Sequence, residues 1–257
     1  MCTPTGRARP IGPLQLGYED GLLGVARRAC ARREITLGGD LLLVADGDAL
    51  YGNIRINGRL AASTPLLSDD VETFVSWEPV RYQTLISAVS ASYLGLGYLS
   101  FGATGRVYHT DDVAIGVTSR FVAPTTSGLD QGNYPLSLDL GATAQVQADP
   151  NLGFHFYLLV LGSLMVGGPP LPRGGVRAGA GLDWSPIEWL AFVLEAASQL
   201  GYRDAVDHIA ASAGVRLALG DVVGIELGVS MPFYGQRAFD DGALPILANL
   251  TVSLHLE

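Results

Sequence analysis

Polar and apolar residues alternate along the last twelve residues of the chain, from Ile246 to Glu257. Aliphatic side chains hold the even positions, and the odd positions are polar after Leu247. Because a β-strand points successive side chains to opposite faces, this pattern predicts one strand with an apolar and a polar face. Strands of soluble proteins average about five to six residues, whereas a strand tilted through a bilayer needs roughly 9–11. The length therefore favours a strand that crosses a membrane.

The same two-faced pattern recurs along most of the chain and predicts twelve strands, each bounded by turn residues. In chain order they are Glu34–Val44, Leu50–Ala62, Val71–Val80, Gly95–Tyr108, Asp112–Val122, Pro135–Gln147, Leu152–Leu164, Gly174–Ser185, Trp189–Leu200, His208–Leu219, Val222–Pro232 and Pro245–Glu257.

The lengths of the connections alternate as well. Links after even-numbered strands are mostly short, at residues 109–111, 148–151, 186–188 and 220–221. Links after odd-numbered strands are mostly longer, at residues 81–94, 123–134, 165–173 and 233–244. Residues 45–49 and 63–70 break the pattern, as a short link and a long link respectively. Short periplasmic turns, longer external loops and an even strand count characterise outer-membrane barrels. Twelve strands place both chain ends on the short-turn, periplasmic side.

The composition agrees with a membrane barrel. Mean hydropathy is +0.29, charged residues are 16% and glycines number 33, yet the chain contains no apolar run long enough for a spanning helix. The longest candidate, Phe156 to Val166, is too short. High hydropathy spread over alternate positions is typical of a transmembrane barrel. The alternatives are an apolar soluble sandwich and a lipocalin-like barrel whose aliphatic face points inward.

Charge is unevenly placed along the chain. The formal net charge of −9 excludes most nucleic-acid binders. Residues 1–33 hold six arginines against Glu19 and Asp20, a net of +4, so residues 34–257 carry −13. We therefore divide the chain into a basic N-terminal extension, residues 1–33, and a barrel, residues 34–257. The extension is either a periplasmic tail or a plug that enters the acidic barrel.

Both cysteines, Cys2 and Cys30, lie in this extension. In an oxidising periplasm they can pair, with a stabilisation of roughly 2–4 kcal/mol; otherwise they remain free thiols, and Cys2 is also a candidate for lipidation. The first residues contain no apolar leader segment. For an exported barrel we expect either a mature form with a start methionine or a misplaced start.

Two segments carry a family resemblance. The segment from Leu94 to Tyr108, LGLGYLSFGATGRVY, resembles the glycine-rich strand openings of small bacterial outer-membrane β-barrel proteins. The last strand resembles the signal read by the barrel-assembly machinery, although it ends Leu256-Glu257 without the usual aromatic. The resemblance covers residues 34–257 and implies an up-and-down antiparallel barrel in the bacterial outer membrane. Its implied partners are bilayer lipid, lipopolysaccharide, the assembly machinery and envelope proteins.

If the apolar faces meet lipid, the opposite faces line a lumen, and most charged strand residues share this second parity. They are Arg55, Arg59, Arg106, Arg120, Arg177, Arg216, Asp40, Glu72, Asp139, Asp183, Glu195 and Glu226. Glu78 is predicted to face the lumen as well. A charge facing lipid would cost about 2–4 kcal/mol at the bilayer midplane, so this shared parity is informative. Two interpretations stay open: ion pairs that brace the barrel, and a polar path for solutes. Glycines of the same parity either leave room for a channel or relieve crowding.

We rank a small porin-like channel first, without a cofactor or metal. A structural or anchoring barrel in an envelope assembly is the second hypothesis, suggested by the acidic pairs Asp69-Asp70 and Asp240-Asp241. The third is a hydrolase sited on an external loop around Asp204, Asp207 and His208. Solvated loop side chains explain these three residues more simply than a catalytic site does, and the chain has no Gly-x-Ser-x-Gly, zinc or phosphate-loop motif. We therefore expect no enzymatic activity.

Overall fold

The computed structural model describes residues 33–45, 52–66, 68–86, 91–125, 134–166, 172–202, 208–220, 222–235 and 244–255. Thirteen strands lie within these ranges, where no helix is long and apolar enough to cross a membrane. The strands are β1 (Glu34–Ala45), β2 (Gly52–Leu66), β3 (Ser68–Ile86), β4 (Ala91–Gly95), β5 (Tyr98–His109), β6 (Val113–Pro124), β7 (Tyr134–Asp149), β8 (Leu152–Val166), β9 (Pro172–Ile187), β10 (Leu190–Tyr202), β11 (His208–Leu219), β12 (Val223–Gly235) and β13 (Leu244–His255).

All of these strands belong to one antiparallel sheet that closes on itself. Strands adjacent in sequence pair with each other, except β4 and β5, and the ring closes where β13 pairs with β1, with Glu34 opposite His255. Both β4 and β5 pair with β3, β4 along Arg81–Leu85 and β5 along Val71–Trp77. Together they form one interrupted barrel strand. The predicted twelve-stranded up-and-down barrel is therefore confirmed.

The two ends of the barrel differ in the lengths of their connections. At the end where Glu34 meets His255, the connections span one to three residues, and we call it the short-turn end. Gly220, in the last of these turns, has φ of +65°, a left-handed conformation that glycine adopts without steric cost. At the opposite, long-loop end, four to nine residues separate the strands. The short–long alternation is thus more regular than predicted.

Two predicted connections are wrong because the strands on either side are longer. The predicted link 63–70 is strand up to Leu66 and again from Ser68. The predicted loop 81–94 is likewise mostly strand, since β3 runs to Ile86 and β4 begins at Ala91. The register of β2 against β3 shifts between Gly58 and Leu60, where β3 supplies one extra residue beside Pro79. A bulge of this kind moves the inward side chains from even to odd positions, so a strict alternation test ends the strand too early.

The outer face of the barrel is a belt of exposed aliphatic and aromatic side chains. Leu37, Val160 and Leu250, on three different strands, are each about half or more exposed. Two of the aromatic side chains, Trp184 and Phe192, lie near the short-turn end and stack with ring centroids 5.7 Å apart. An apolar band flanked by aromatic residues is the surface that a barrel presents to a bilayer. The inner wall is the opposite face of the same strands.

Candidate functional site: the inner wall of the barrel

Most of the predicted lumen charges are buried on the inner wall. Seven are buried, and they are Arg120, Arg177, Arg216, Glu72, Asp139, Asp183 and Glu195. Three are partly buried, namely Arg59, Arg106 and Glu226. Asp40 and Arg55 lie in β1 and β2, but their side chains fall outside the described part of the structure.

A buried network of charged side chains crosses the inner wall from β8 to β12, within six residues of the short turns. His155 Nδ1 lies 3.1 Å from Asp183 Oδ2, and its Nε2 lies 2.7 Å from Glu195 Oε1. Arg216 donates from Nη1 to Asp183 Oδ1 at 2.9 Å and from Nε to Glu226 Oε2 at 2.7 Å. We call these five residues the His155 network. It joins five neighbouring strands through side chains as well as through the backbone.

The chemistry of His155 follows from its two neighbours. An ionised carboxylate only accepts hydrogen bonds, so an imidazole between two carboxyl groups needs a proton at each contact. Either an imidazolium lies between two carboxylates, or a neutral ring lies between one carboxylate and one protonated carboxyl. Both ring nitrogens are engaged in either case, which fixes the ring plane. Buried charges are tolerated when they are paired and hydrogen-bonded in this way.

Glycines on the intervening strands make these contacts possible. His155 and Glu195 are separated by β9, a span of about 10 Å between their strands. Their side chains meet over Gly181, where an added Cβ would overlap the imidazole and the Glu195 side chain. The Tyr157 ring occupies the corresponding space over Gly179. Of the two interpretations of the inward glycines, relief of crowding describes these positions.

A second buried ion pair links β6 to β7. Arg120 donates to Asp139 Oδ2 from Nε at 2.9 Å and also from Nη2. The other oxygen, Asp139 Oδ1, is buried and has no hydrogen-bond partner within the described ranges. Nearer the short turns, Arg106 pairs with Asp70, whose side chain is half exposed. The inner wall thus contains both desolvated and solvated ion pairs.

The interruption between β4 and β5 is built around one carboxylate. Gly97 N donates to the Glu78 carbonyl at 2.8 Å, and Tyr98 N donates to Glu78 Oε2 at 3.3 Å. A side chain on Gly97 would overlap the Glu78 carboxylate. The Arg81 guanidinium lies 5.6 Å from the centre of the Tyr98 ring, in cation–π geometry. Glu78 therefore supports the backbone here.

The inner wall also has apolar sections that the predicted polar face did not include. Leu159 and Val122 are fully buried on β8 and β6, and Val193 is nearly so on β10. Leu159 has the parity at which strict alternation would place a polar residue. Because these apolar sections interrupt the inner wall, its polar side chains are clustered rather than evenly spread.

Alternation alone did not identify His155 or Arg81 as inner-wall residues. His155 has the parity that its strand assigns to the lumen, but three apolar neighbours of the same parity, Tyr157, Leu159 and Leu161, obscured it. Arg81 fell in a predicted loop. His155 pairs with Gly181 and so lies level with inward residues of β9, a register that the nine-residue link between the two predicted strands does not fix.

Several predicted features lie outside the described residues. They include Cys2, Cys30, almost the whole extension of residues 1–33, Asp204, Asp207 and the chain end at Leu256-Glu257. His208 begins β11, but its side chain is not described. Among the residues that are described, no group of three or more His, Cys, Asp or Glu side chains is placed to hold a metal ion.

No protein-family model matches the sequence, and none of the curated proteins does either. Solved structures do match. An outer-membrane channel from Pseudomonas putida F1 aligns over 90% of this chain and 97% of its own, with a TM-score of 0.70 and 10% identity. The chain has the fold of a bacterial outer-membrane β-barrel.

Two further outer-membrane barrels align at lower scores. The KdgM porin, solved in complex with disordered oligogalacturonate, gives a TM-score of 0.57 at 8% identity over 86% of this chain and 99% of its own. The translocator domain of the autotransporter NalP from Neisseria meningitidis gives 0.54 at 12% identity, over 93% and 92% respectively. At these identities the likeness concerns the architecture alone.

Proposed function

We propose that this protein is an integral outer-membrane channel that passes small solutes through the barrel. The observation that carries the proposal is the separation of the two faces of the strands. Leu194 and Leu227 are half exposed on the outer belt, whereas the neighbouring Glu195 and Glu226 point inward. A barrel of eight strands is filled by its own side chains, and one of sixteen holds a water channel. Twelve strands leave intermediate room for a polar path.

The orientation of the barrel forms part of the same proposal. The short-turn end, where both described chain ends meet, is placed in the periplasm, and the longer loops outside the cell. Bilayer lipid, lipopolysaccharide and the barrel-assembly machinery are the partners expected of such a protein. Epitope tags inserted at Asp111 and between β6 and β7, within residues 126–133, test the orientation, since antibody on intact cells should label only the second tag.

The His155 network favours a second candidate, a structural barrel without transport activity. Ion pairs that join five strands make the barrel wall more rigid. A barrel that anchors an envelope assembly needs a rigid wall but does not need a solute path through its lumen. Neither the channel nor the structural barrel requires a catalytic site.

Reconstituted protein discriminates between these two candidates. Liposomes containing the purified barrel should swell in small neutral solutes at rates that fall with solute size, and planar bilayers should show discrete current steps. Protein that is folded by heat-modifiability on gels, yet inactive in both assays, would reject the channel and favour the structural barrel.

A further inference from the structure

The two contacts of the His155 imidazole fix how many hydrogens it shares with its neighbours. Nδ1 lies 3.1 Å from Asp183 Oδ2 and Nε2 lies 2.7 Å from Glu195 Oε1, and both are lengths of direct hydrogen bonds. A neutral imidazole has one N–H, and an ionised carboxylate has no hydrogen to donate. The two hydrogen bonds therefore require one proton more than a neutral imidazole and two carboxylates possess.

The charges around the imidazole favour this extra proton. The polar groups that face the ring or its partners come from six strands, and they are Gln145 on β7, Tyr157 on β8, Asp183 on β9, Glu195 on β10, Arg216 on β11 and Glu226 on β12. The amide is uncharged, and a phenol is ordinarily neutral near pH 7. Three carboxylates and one guanidinium carry a net charge of −2, which one added proton lowers to −1.

Burial makes these charges act strongly on one another. The side chains of His155, Asp183 and Glu195 are at most 4% exposed, so solvent screens them little. Without the extra proton, one carboxylate would face a lone pair of the imidazole at hydrogen-bond distance. A buried charge that has lost its partner is strongly destabilising. The folded wall therefore holds this proton firmly.

The unfolded chain has no reason to keep the proton. Its imidazole and its two carboxyl groups are far apart and in water, where above about pH 7 the ring is mostly neutral and both carboxyls are ionised. Folding therefore takes up one proton in this pH range. Stability falls with rising pH wherever the folded state binds more protons than the unfolded state.

We propose that His155, Asp183 and Glu195 form a buried proton-binding site that makes the stability of the β8–β10 wall depend on pH. We call it the His155 proton site. The proton belongs to the three residues together rather than to one of them. At alkaline pH it is released to solvent, one of the two imidazole contacts is lost, and the wall is weakened. The proposal does not require solute passage, so it can fail while the channel stands.

Glu195→Gln tests the site because it keeps the contact and removes the need for the proton. The amide donates an N–H to Nε2, and a neutral ring then donates from Nδ1 to Asp183. The measurement is urea unfolding of the full chain in lipid bilayers, followed by tryptophan fluorescence at pH 7 and pH 8. Over this interval the unfolding equilibrium constant of wild type should rise roughly five- to tenfold more than that of Glu195→Gln.

A matched control lies in the same network. Glu226 contacts Arg216 and Asn249, so Glu226→Gln removes an equal charge without changing either imidazole contact. It should keep the pH dependence of wild type. His155→Gln, which lacks the titratable ring, is a second test variant and should lose the pH dependence as Glu195→Gln does.

Proton uptake gives a second measurement that does not depend on unfolding curves. Wild-type chains refolded from urea into lipid at pH 8, in unbuffered solution with an indicator dye, should take up about one proton per chain more than Glu195→Gln. Glu226→Gln should take up as much as wild type.

The outcomes separate this site from the channel. Equal pH dependence in wild type, Glu195→Gln and His155→Gln, or equal proton uptake, would overturn the proton site. Loss of the pH dependence in Glu226→Gln as well would assign it to the net charge of the wall and would also overturn the site. Absence of current and of swelling, with the pH dependence as expected, would overturn the channel and retain the proton site.

Discussion

The β8–β12 wall and the β3–β5 wall use buried carboxylates in opposite ways. In the first, Asp183 and Glu195 contact side chains from neighbouring strands, and the backbone ladder continues without interruption past Gly181. In the second, the Glu78 carboxylate accepts from the backbone N–H of Tyr98, at a point where the ladder is interrupted. Where the backbone pairing is continuous, the acidic side chains bind side chains of neighbouring strands. At the interruption, an acidic side chain instead accepts a hydrogen bond from a backbone N–H.

The largest effect is expected from Asp183→Ala in the β8–β12 wall. This change removes the carboxylate shared by His155 and Arg216, and breaking a buried charge pair typically costs about 3–5 kcal/mol. Urea unfolding in lipid bilayers, followed by tryptophan fluorescence, measures the loss. Asp111→Ala, at an exposed turn position, is the control and should stay within about 0.5 kcal/mol of wild type. Equal stability of both variants would show that the network does not brace the wall.

A smaller effect is expected from Gly97→Ala in the β3–β5 wall, where a Cβ would overlap the Glu78 carboxylate. Forcing an extra carbon into a packed site costs about 1–3 kcal/mol. Gly105→Ala is the matched control on the same barrel strand, because its nearest neighbour would lie 3.9 Å from the added Cβ. The comparison between the walls fails if the two alanine variants unfold at the same urea concentration.

The smallest effect separates an arginine with buried partners from one whose partner is half exposed. Arg216→Lys loses the fork that reaches Asp183 and Glu226 together, and we expect a loss of about 1–2 kcal/mol for the second charge-assisted hydrogen bond. Arg106→Lys, opposite the half-exposed Asp70, should change stability by less than about 1 kcal/mol. A larger loss at Arg106 than at Arg216 would mean that burial does not rank these pairs.

Sequence alone predicts the barrel well wherever side chains alternate without a break. The alternation within strands and the alternation of short and long connections predict twelve barrel strands, with both chain ends on the short-turn side. They do so because lipid requires apolar side chains on the outer face, at every second position. The prediction failed around Pro79, where a bulge places the even-numbered Glu78 and the odd-numbered Arg81 on the same inward face. It also could not show the contacts over Gly181 and Gly179, since these depend on which side chain leans across the neighbouring strand.

The most direct test of the central claim is to modify one inward and one outward position of β13 in a conducting barrel. In a background with Cys2 and Cys30 replaced by serine, Ser253→Cys introduces an inward thiol and Leu254→Cys an adjacent outward one. A charged, water-soluble thiol reagent should lower single-channel conductance at Ser253→Cys and leave Leu254→Cys unchanged. Equal responses at both positions, or folded protein without any current, would contradict a solute path along this inner wall.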